Sequence, residues 1–376
     1  MQIYIHIPFC VKKCLYCDFL SGPQNQATIE KYVDGLRKEI EAYGRGKNKV
    51  TSVFIGGGTP SILTACQIEK IFRTLNEFHP IDVNAEITIE ANPGTVTREK
   101  LIVYKKCGIN RISFGLQSAN DAELKILGRI HTYDTFVESF QMARDCGFEN
   151  INVDLMSAIP NQTLQSFEET LHKVIKLQPE HISAYSLIVE EGTPYAKLYG
   201  EGGPKKQELP TEEVEREIYY KTEEILGQAG YHRYEISNYA KPGMECRHNV
   251  GYWDRKEYIG FGLGAAGLIN ETRLRNTDDL EYYIANASNT EKIKVETEIL
   301  PETAQMEEYM FLGMRKTEGV SISRFAVLFG NSMEHYYGNQ IKKLEKAGLI
   351  QRKGDCMMLT KRGIDVSNYV LSEFIQ

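Results

Sequence analysis

The sequence predicts an α/β fold in which parallel strands alternate with helices, followed by a smaller helical domain. Short apolar runs alternate with amphipathic helical patterns, as strand–helix–strand units require. Near residue 302 this alternation gives way to short helices. The predicted strands are 3–7, 52–55, 85–90, 111–114, 151–155 and 181–187, and the predicted helices between them lie near 26–43, 65–78, 97–106, 132–146 and 163–177.

Local signals support the ends of several predicted elements. Cys107-Gly108 and Cys146-Gly147 each follow a helical run and precede a strand, where glycine can supply the left-handed residue that ends a helix. Residues 200–210 are rich in glycine, proline and charge, which predicts a loop. Thr211 then predicts the start of a further helix over about 211–228.

The remainder of the chain predicts a connecting region and a terminal domain. The pattern over 231–301 is irregular and contains a glycine-rich stretch. Beyond it, Ser321 is a candidate helix cap, and residues 349–360 predict a small hairpin. Helices followed by a hairpin are typical of a winged helix. We therefore expect three regions, 1–230, 231–301 and 302–376.

Composition and charge exclude several classes of protein. The chain has 376 residues, 25% of them charged, and a net charge of −7, which argues against a general nucleic-acid partner. Residues 303–376 contain ten Lys and Arg against eight Asp and Glu, a weak excess of +2. There is no secretory leader pattern or long apolar span, and eight cysteines are too few for a disulfide scaffold. We therefore expect a cytoplasmic protein.

Three cysteines, Cys10, Cys14 and Cys17, lie within eight residues directly after the first predicted strand. Thiolates are soft ligands that suit iron–sulfur clusters and zinc. Zinc would need a fourth ligand, and no nearby Cys or His pair completes a tetrahedron, because His6 lies within the strand. Three thiolates on a four-iron cluster leave one iron open. The spacing therefore favours a [4Fe–4S] cluster over zinc or metal-free buried cysteines.

This C-x3-C-x2-C segment, with Tyr16 immediately before its third cysteine, resembles the cluster loop of the radical SAM superfamily. In that superfamily S-adenosylmethionine (SAM) chelates the open iron, and its reductive cleavage yields a 5′-deoxyadenosyl radical. The resemblance implies a partial (β/α)6 barrel over about residues 1–230. It also implies two cofactors, a [4Fe–4S] cluster and SAM.

Glycine or polar residues stand at the ends of four consecutive predicted strands. The segment 56–60, Gly-Gly-Gly-Thr-Pro, follows the second strand, and its backbone amides could bind a carboxylate or phosphate. Glu90, Gln117 and Asp154 mark the next three strand ends. Because active sites of parallel α/β folds lie at the carboxyl ends of strands, we expect these residues to meet. Taken alone, each of the three is more often a capping or turn residue. Arg129 is equally well explained as a solvated residue at a helix end.

The opening Tyr4-Ile-His-Ile-Pro-Phe-Cys10, with Glu90-Ala-Asn-Pro and the segment 154–162, resembles the oxygen-independent coproporphyrinogen III oxidase group. The similarity covers nearly the full chain, including a winged-helix-like terminal domain. It implies that Cys10, Cys14 and Cys17 hold the cluster. It further implies contacts to SAM, or to a second SAM molecule, from Tyr4, Tyr16, Gly57, Gly58, Thr59, Glu90, Gln117, Arg129 and Asp154.

Two departures separate the chain from the oxidase itself. The oxidase carries a fourth cysteine two places after the third, where this chain has Phe19, and it has a longer amino-terminal region. Both departures favour the HemW-type branch of the group. Members of that branch bind heme and act as heme chaperones, so the resemblance implies heme as a third bound group.

The segment 246–253, Cys-Arg-His-Asn-Val-Gly-Tyr-Trp, resembles the H-N-x-x-Y-W motif of the HemW-type branch. Imidazole is a common heme-iron ligand, so His248 is the candidate ligand, with a structural role as its alternative. Cys246 is either a second soft donor or a packing residue. Relatives often have Gly-Ala-His after the glycine-rich stretch, where this chain has Ala266 in place of the histidine.

The main functional hypothesis is a cytoplasmic heme chaperone that transfers heme to an acceptor protein, such as a membrane respiratory protein. The first rival is the oxidase, which would decarboxylate coproporphyrinogen III; Phe19 argues against it. A radical SAM enzyme with another substrate is the second rival. A DNA-binding regulator is the third, and the absence of a basic patch disfavours it. Whether the chain turns over SAM as an enzyme is left open.

Overall fold

A computed structural model describes residues 1–46 and 48–375, and twelve of their strands form one sheet. Its six central strands are parallel to one another and follow chain order. They are β1 (Gln2–Ile7), β2 (Val50–Gly57), β3 (Ile81–Ala91), β4 (Arg111–Gln117), β5 (Asn150–Ser157) and β6 (His181–Ser186). All six predicted strands are therefore present, and the α/β class with a partial parallel barrel is confirmed.

Helices connect the parallel strands and pack their apolar faces against the sheet. All the predicted helices of this region are present, and Gly108 and Gly147 adopt φ of 85° and 84° just beyond two of them, as expected. Two six-residue helices, α4 and α7, are too short for periodicity to predict. The helices are α1 (Gln26–Tyr43), α2 (Ala65–Phe78), α3 (Arg98–Lys106), α4 (Asp121–Ile126), α5 (Tyr133–Asp145), α6 (Leu164–Ile175) and α7 (Pro194–Tyr199).

After α8 (Glu212–Gln228), six short strands extend the sheet at both edges. They are β7 (His232–Arg233), β8 (Asn238–Ala240), β9 (Tyr258–Phe261), β10 (Ala266–Ile269), β11 (Thr272–Asn276) and β12 (Lys294–Ile299). The resulting order is β12-β11-β10-β9-β1-β2-β3-β4-β5-β6-β8-β7. Three short helices, α9 (Arg247–Trp253), α10 (Leu280–Asn286) and α11 (Thr290–Ile293), interrupt these strands.

The terminal region has its own apolar core and a three-stranded sheet, in which β15 (Cys356–Leu359) lies between β13 (Val320–Ser321) and β14 (Ile350–Lys353). The predicted hairpin is present as β14 and β15, and the Ser321 side chain accepts a hydrogen bond from Arg324 N as the predicted cap. The elements are α12 (Glu302–Gly313), β13 (Val320–Ser321), α13 (Ile322–Phe329), α14 (Met333–Lys346), β14 (Ile350–Lys353), β15 (Cys356–Leu359), α15 (Lys361–Asp365) and α16 (Ser367–Ser372).

The main apolar core runs from Ile3 to Ile293, so the strands of the connecting region belong to the same body as the parallel sheet. The predicted domain limits stay a prediction. Two single 3₁₀ turns, Pro60–Ile62 and Lys206–Glu208, complete the backbone of this body. Among the residues described, no helix combines the length and the apolar character needed to cross a lipid bilayer.

One face of the parallel sheet carries a buried polar network. Because side chains alternate across a strand, every second residue of β3 to β6 points to this face. Asn152 lies near its centre and donates hydrogen bonds to Ser113 Oγ and to Asp154 Oδ1, both at 2.7 Å. His181 contacts Asn152 Oδ1 at 2.6 Å. The network leads toward the carboxyl ends of the strands.

Candidate functional site

A cavity of about 400 Å³ opens at the carboxyl ends of the parallel strands. Of the thirteen residues that sequence reasoning singled out, two, Tyr4 and His248, lie elsewhere. The other eleven line the cavity: Cys10, Cys14, Tyr16, Cys17, Gly57, Gly58, Thr59, Glu90, Gln117, Arg129 and Asp154. The topology of the sheet therefore brings together segments that are far apart in the chain.

The segment 8–25, which we call the cysteine loop, joins β1 to α1 and forms one wall of the cavity. Its backbone is anchored at two points, since Cys10 N donates to Gly22 O at 3.0 Å and Leu15 N donates to Leu127 O at 3.3 Å. The three thiols of the loop are unpaired and partly exposed. The loop thus presents three available sulfur donors to the cavity.

The three thiols lie on one cavity without converging on one point. Among residues 1–46 and 48–375, no three His, Cys, Asp or Glu side chains are grouped closely enough to hold a single metal ion. In an iron–sulfur cluster each thiolate binds a different iron, so the sulfur atoms stand further apart than around zinc. Three cysteine thiols on one loop are the kind of donor that an iron–sulfur cluster takes, so the chemistry of the donor set fits such a cluster.

The glycine turn after β2 packs tightly against the cysteine loop. Gly57 has φ of 110°, and a Cβ built on it would lie 2.5 Å from the ring of His6. A Cβ on Gly58 would lie 2.7 Å from the carbonyl oxygen of Phe9 and 3.0 Å from Cys10 Sγ. Only glycine allows this close approach of backbone to backbone. The turn therefore fixes the position of the first cysteine.

Two carboxyl groups, Glu90 and Asp154, lie deep in the cavity. Glu90 Oε2 accepts a hydrogen bond from Gly57 N at 3.0 Å. Burial raises the pKa of Glu90 to about 8, and the nearby Asp154 adds to the rise. Burial also raises the pKa of Asp154, against the effect of its hydrogen bonds from Asn152 and Ser113. At neutral pH, Glu90 is therefore mostly protonated.

A chain of hydrogen bonds links the glycine turn to Arg129. Asn92 Nδ2 donates to Thr59 Oγ1 at 2.8 Å, and Arg129 Nη2 donates to Asn92 Oδ1 at 2.8 Å. Thr59 Oγ1 in turn donates to Cys10 Sγ at 3.4 Å, and Arg129 Nη1 donates to Cys14 Sγ at 3.5 Å. The chain therefore connects two of the three thiols through charged or polar donors.

Arg129 places a positive charge beside the cysteine loop. Burial works against the guanidinium, but Tyr16 and Cys14 more than offset it, so the pKa of Arg129 is raised overall. Asn92, which holds Arg129 in place, was not singled out from the sequence. It stands in the segment Glu90-Ala-Asn-Pro that carried part of the family resemblance, which was the available signal.

The end of β4 adopts an unusual backbone conformation at the cavity. Gln117 has φ of 73°, which costs free energy in a residue other than glycine. Its side-chain Oε1 accepts a hydrogen bond from Tyr185 OH at 3.0 Å. Tyr185 and Ser113 also line the cavity and were missed by sequence reasoning. Side chains alternate between the two faces of a strand, so every second residue of β4 and β6 points to the cavity. This alternation was the signal that could have found Ser113 and Tyr185.

Tyr4 lies on β1 beside the cavity, not on its lining. Its hydroxyl is hydrogen-bonded to His6 Nδ1 at 2.9 Å, and its ring stacks near Phe54 at 6.5 Å between centroids. His6 Nε2 contacts the carbonyl oxygen of Leu20 at 3.0 Å, which adds a tie to the cysteine loop. The predicted contact of Tyr4 with SAM stays a prediction.

His248 lies at the opposite end of the parallel strands, on helix α9, with 1% of its surface exposed. Its Nδ1 contacts Ser52 Oγ at 2.9 Å and its Nε2 contacts Tyr252 OH at 3.1 Å. Burial, with a contribution from Arg111, lowers the pKa of His248 to about 3. Both ring nitrogens are therefore occupied in this arrangement, and the heme-ligand role of His248 stays a prediction.

Helix α9 also joins the barrel to the terminal region. The Glu86 carboxylate accepts hydrogen bonds from the backbone N–H of Arg247 and from that of His248, both at 3.0 Å, which fixes the start of the helix. At its other end, the Arg315 guanidinium lies 4.5 Å from the ring centroid of Trp253. The conspicuous segment 246–253 is thus a joint between two bodies of the fold.

Comparison with known proteins identifies the family. The model of the radical SAM superfamily matches residues 4–174, and the model of the HemN C-terminal domain matches residues 300–366. A protein of Bacillus subtilis named heme chaperone HemW is 39% identical over 375 residues, which cover 99% of this chain and 98% of that protein. A protein of the same name from Lactococcus lactis is 37% identical, covering 99% and 96%.

The chain belongs to the HemW family. The resemblance to the HemW-type branch, which rested on Phe19, the amino-terminal region and the segment 246–253, is thereby confirmed. Among solved structures, a coproporphyrinogen III oxidase from Escherichia coli, described as a radical SAM enzyme, aligns with a TM-score of 0.86 at 23% identity, covering 99% of this HemW-family chain and 89% of the oxidase. At that identity the match establishes a shared fold.

Proposed function

We propose that this chain is a heme chaperone that carries a SAM-ligated [4Fe–4S] cluster and passes heme to an acceptor protein. The observation that carries the proposal is its identity of 37–39% to proteins named heme chaperone HemW over nearly their whole length. Phe19, at the place of the oxidase's fourth cysteine, supports it. The eight unpaired cysteines fit a reducing cytoplasm, which is the location that we propose. As the acceptor of the heme we propose a respiratory membrane protein.

The residues of the cavity fit both cofactors. Cys10, Cys14 and Cys17 would hold the cluster, since three unpaired thiols line one cavity. The remaining lining offers a buried carboxyl at Glu90, which suits the ammonium group of SAM. When bound, the cluster supplies one-electron reduction of SAM. The remaining proposed SAM contacts are Tyr4, Tyr16, Gly57, Thr59, Gln117, Arg129 and Asp154.

Side chains around the cysteine loop act on the three thiols that would bind the cluster. Thr59 directs a hydrogen-bond donor at the sulfur atom of Cys10, and Arg129 directs one at the sulfur atom of Cys14. Burial raises the pKa of the Cys17 thiol, so binding of iron there must displace a proton. Tyr16 packs edge-on against Tyr195, with ring centroids 6.2 Å apart, which ties the cysteine loop to α7.

We expect the affinity for SAM to rise about tenfold between pH 6 and pH 7. Glu90, with a pKa of about 8, must lose its proton before it can pair with the SAM ammonium, and its ionised fraction grows about tenfold over that range. The ammonium itself stays protonated there. Calorimetric titration of the cluster-reconstituted chain with SAM, in two buffers of different ionisation enthalpy, measures both the affinity and the released proton.

Glu90→Gln is the matched variant for this titration, because glutamine keeps the shape and cannot ionise. It should bind SAM more weakly than the wild type at pH 7 and with no dependence on pH from 6 to 7. A wild-type affinity that is flat over this range would contradict the assignment of Glu90 to the SAM ammonium.

The heme chaperone proposal is tested by anaerobic titration of the cluster-reconstituted chain with heme, followed by Soret absorbance. We expect saturation near one heme per chain, and transfer of that heme to an added apo-protein acceptor. Absence of saturable binding would refute the proposal. Formation of decarboxylated product from coproporphyrinogen III under reducing conditions would favour the oxidase instead.

A further inference from the structure

We propose that heme docks across the mouth of the cavity, between Phe19 of the cysteine loop and Ile188 beyond β6, with Lys12 facing its propionate groups. The inference rests on the proposed chaperone function, which supplies the ligand. It adds the place of binding, which neither the family relationship nor the cofactor site assigns.

The apolar part of this docking site is unusually exposed. Phe19 is 60% exposed and Ile188 is 67% exposed, yet both line the cavity that the cysteines line. They come from two different segments of the chain, and Leu187 lines the cavity beside them. Covering such side chains with an apolar ring is favourable, and exposed apolar groups around an opening are typical of ligand sites. A porphyrin ring offers a flat apolar face that could cover these side chains.

The charged part of the mouth distinguishes a carboxylate-bearing ring from a neutral one. Lys13 Nζ donates to the carbonyl oxygen of Phe19 at 2.8 Å, which holds the loop in shape. Lys12 is exposed and, within the described residues, makes no hydrogen bond or ion pair, so its ammonium is available. Asp18 and Glu190 line the same cavity and repel carboxylates. Lys12 is therefore the cation that we assign to the propionates.

The volume of the cavity places heme at the mouth instead of inside. Pockets for one small ligand span about 300–1,000 Å³, and this cavity of about 400 Å³ already contains the thiols and carboxyls that the two cofactors need. The site at His248 is closed in this structure, because the ring is buried and both nitrogens are hydrogen-bonded. The mouth is the part of the site where a large planar ligand has room.

The test is an anaerobic heme titration of the cluster-reconstituted full chain, with dissociation constants from Soret absorbance. Phe19→Ser and Ile188→Ser should each raise Kd about tenfold, the loss expected for one well-covered apolar side chain. Val83→Ser is the control, since Val83 is 95% exposed at the amino-terminal end of β3, away from the cavity, and its Kd should equal that of the wild type.

The charge in the proposal is tested with heme and with heme dimethyl ester, in which both propionates are blocked. Lys12→Gln should lower the affinity for heme several-fold and leave the affinity for the ester unchanged. Equal effects of Lys12→Gln on both ligands, or no effect on either, would overturn the role of Lys12. Iron and sulfide content is measured in every variant; because Ile188 lies on a segment without cysteines, Ile188→Ser carries the test if Phe19→Ser disturbs the cluster.

The outcomes separate the docking site from the function on which it rests. No saturable heme binding by the wild type would refute the chaperone proposal itself. Saturable binding that is unchanged in Phe19→Ser and Ile188→Ser would refute the docking site alone, and its loss in His248→Ala would then place heme at helix α9. Weakening in both mouth variants, with wild-type affinity in Val83→Ser, supports the docking site.

Discussion

Replacing Cys14 by alanine is expected to reduce the iron and sulfide content of the reconstituted chain from about four of each to background. A [4Fe–4S] cluster on this loop has three protein ligands, and the two remaining thiolates cannot hold it against exchange with solvent thiols. Cys14 Sγ also accepts a hydrogen bond from Arg129 Nη1 at 3.5 Å. Iron and sulfide analysis with the visible absorption spectrum, after anaerobic reconstitution, measures the effect.

Cys66→Ala is the matched control for this experiment. Cys66 is an exposed, unpaired cysteine on α2 that does not line the cavity, so its replacement should leave the iron content at the wild-type level. Since Cys14 is partly exposed, Cys14→Ala should change the free energy of unfolding of the metal-free chain by no more than about 0.5 kcal/mol. A Cys14→Ala chain with full iron content would contradict the assignment of the cluster to the cysteine loop.

Local sequence was sufficient for the long helices and for the parallel strands. Helices were predicted at 26–43 and 65–78 and are observed with those bounds, because each combines an amphipathic pattern with a capping side chain, Asn25 and Thr64 respectively. The strands β7 to β12 escaped prediction for a physical reason. They have two to six residues each, and pairing with distant partners, not their own composition, holds them in the sheet.

The cavity was predictable because parallel strands deliver their carboxyl ends to one place. Glu90, Gln117 and Asp154 could therefore be expected to meet before any coordinates were known. The side chains that connect them, Asn92 and Tyr185, could not, since their roles depend on hydrogen bonds to residues up to 68 positions away.

The placement of helix α9 could not be predicted from local sequence for the same reason. Nothing in segment 246–253 specifies that it packs against the amino-terminal ends of β2 and β3. That position is fixed by Glu86, whose carboxylate accepts a hydrogen bond from Cys246 Sγ at 3.4 Å across 160 residues of chain. Sequence shows the chemistry of a histidine such as His248, whereas its contacts with Ser52 and Tyr252 become visible only in the fold.

His248→Ala is expected to lower the free energy of unfolding by about 3 kcal/mol at pH 7. The substitution leaves the buried hydroxyls of Ser52 and Tyr252 without the ring nitrogens they contact, at a cost of about 1–3 kcal/mol, and it opens a cavity beside Phe54. The substitution also weakens the contact that α9 makes between the barrel and the terminal region. Urea unfolding of the metal-free chain, monitored at the single tryptophan, Trp253, measures the effect.

The pH dependence of this destabilisation has a definite sign. The pKa of His248 is lowered from 6.5 to about 3 in the folded chain, so the neutral ring contributes stability that is complete above pH 6.5 and is lost as the pH falls toward 3. At pH 5 the unfolded chain gains about 2 kcal/mol by protonating this histidine. The difference between wild type and His248→Ala should therefore shrink to about 1 kcal/mol at pH 5.

His172→Ala serves as the control, because His172 is exposed on α6 and its removal should change the free energy of unfolding by less than about 0.5 kcal/mol at either pH.

If His248→Ala instead unfolds like the wild type and loses saturable heme binding, the ring must be free to leave Ser52 and Tyr252 for iron. Helix α9 would then have to move away from the base of the barrel when heme binds. A large loss of stability with intact heme binding would instead assign His248 to the joint between the barrel and the terminal region.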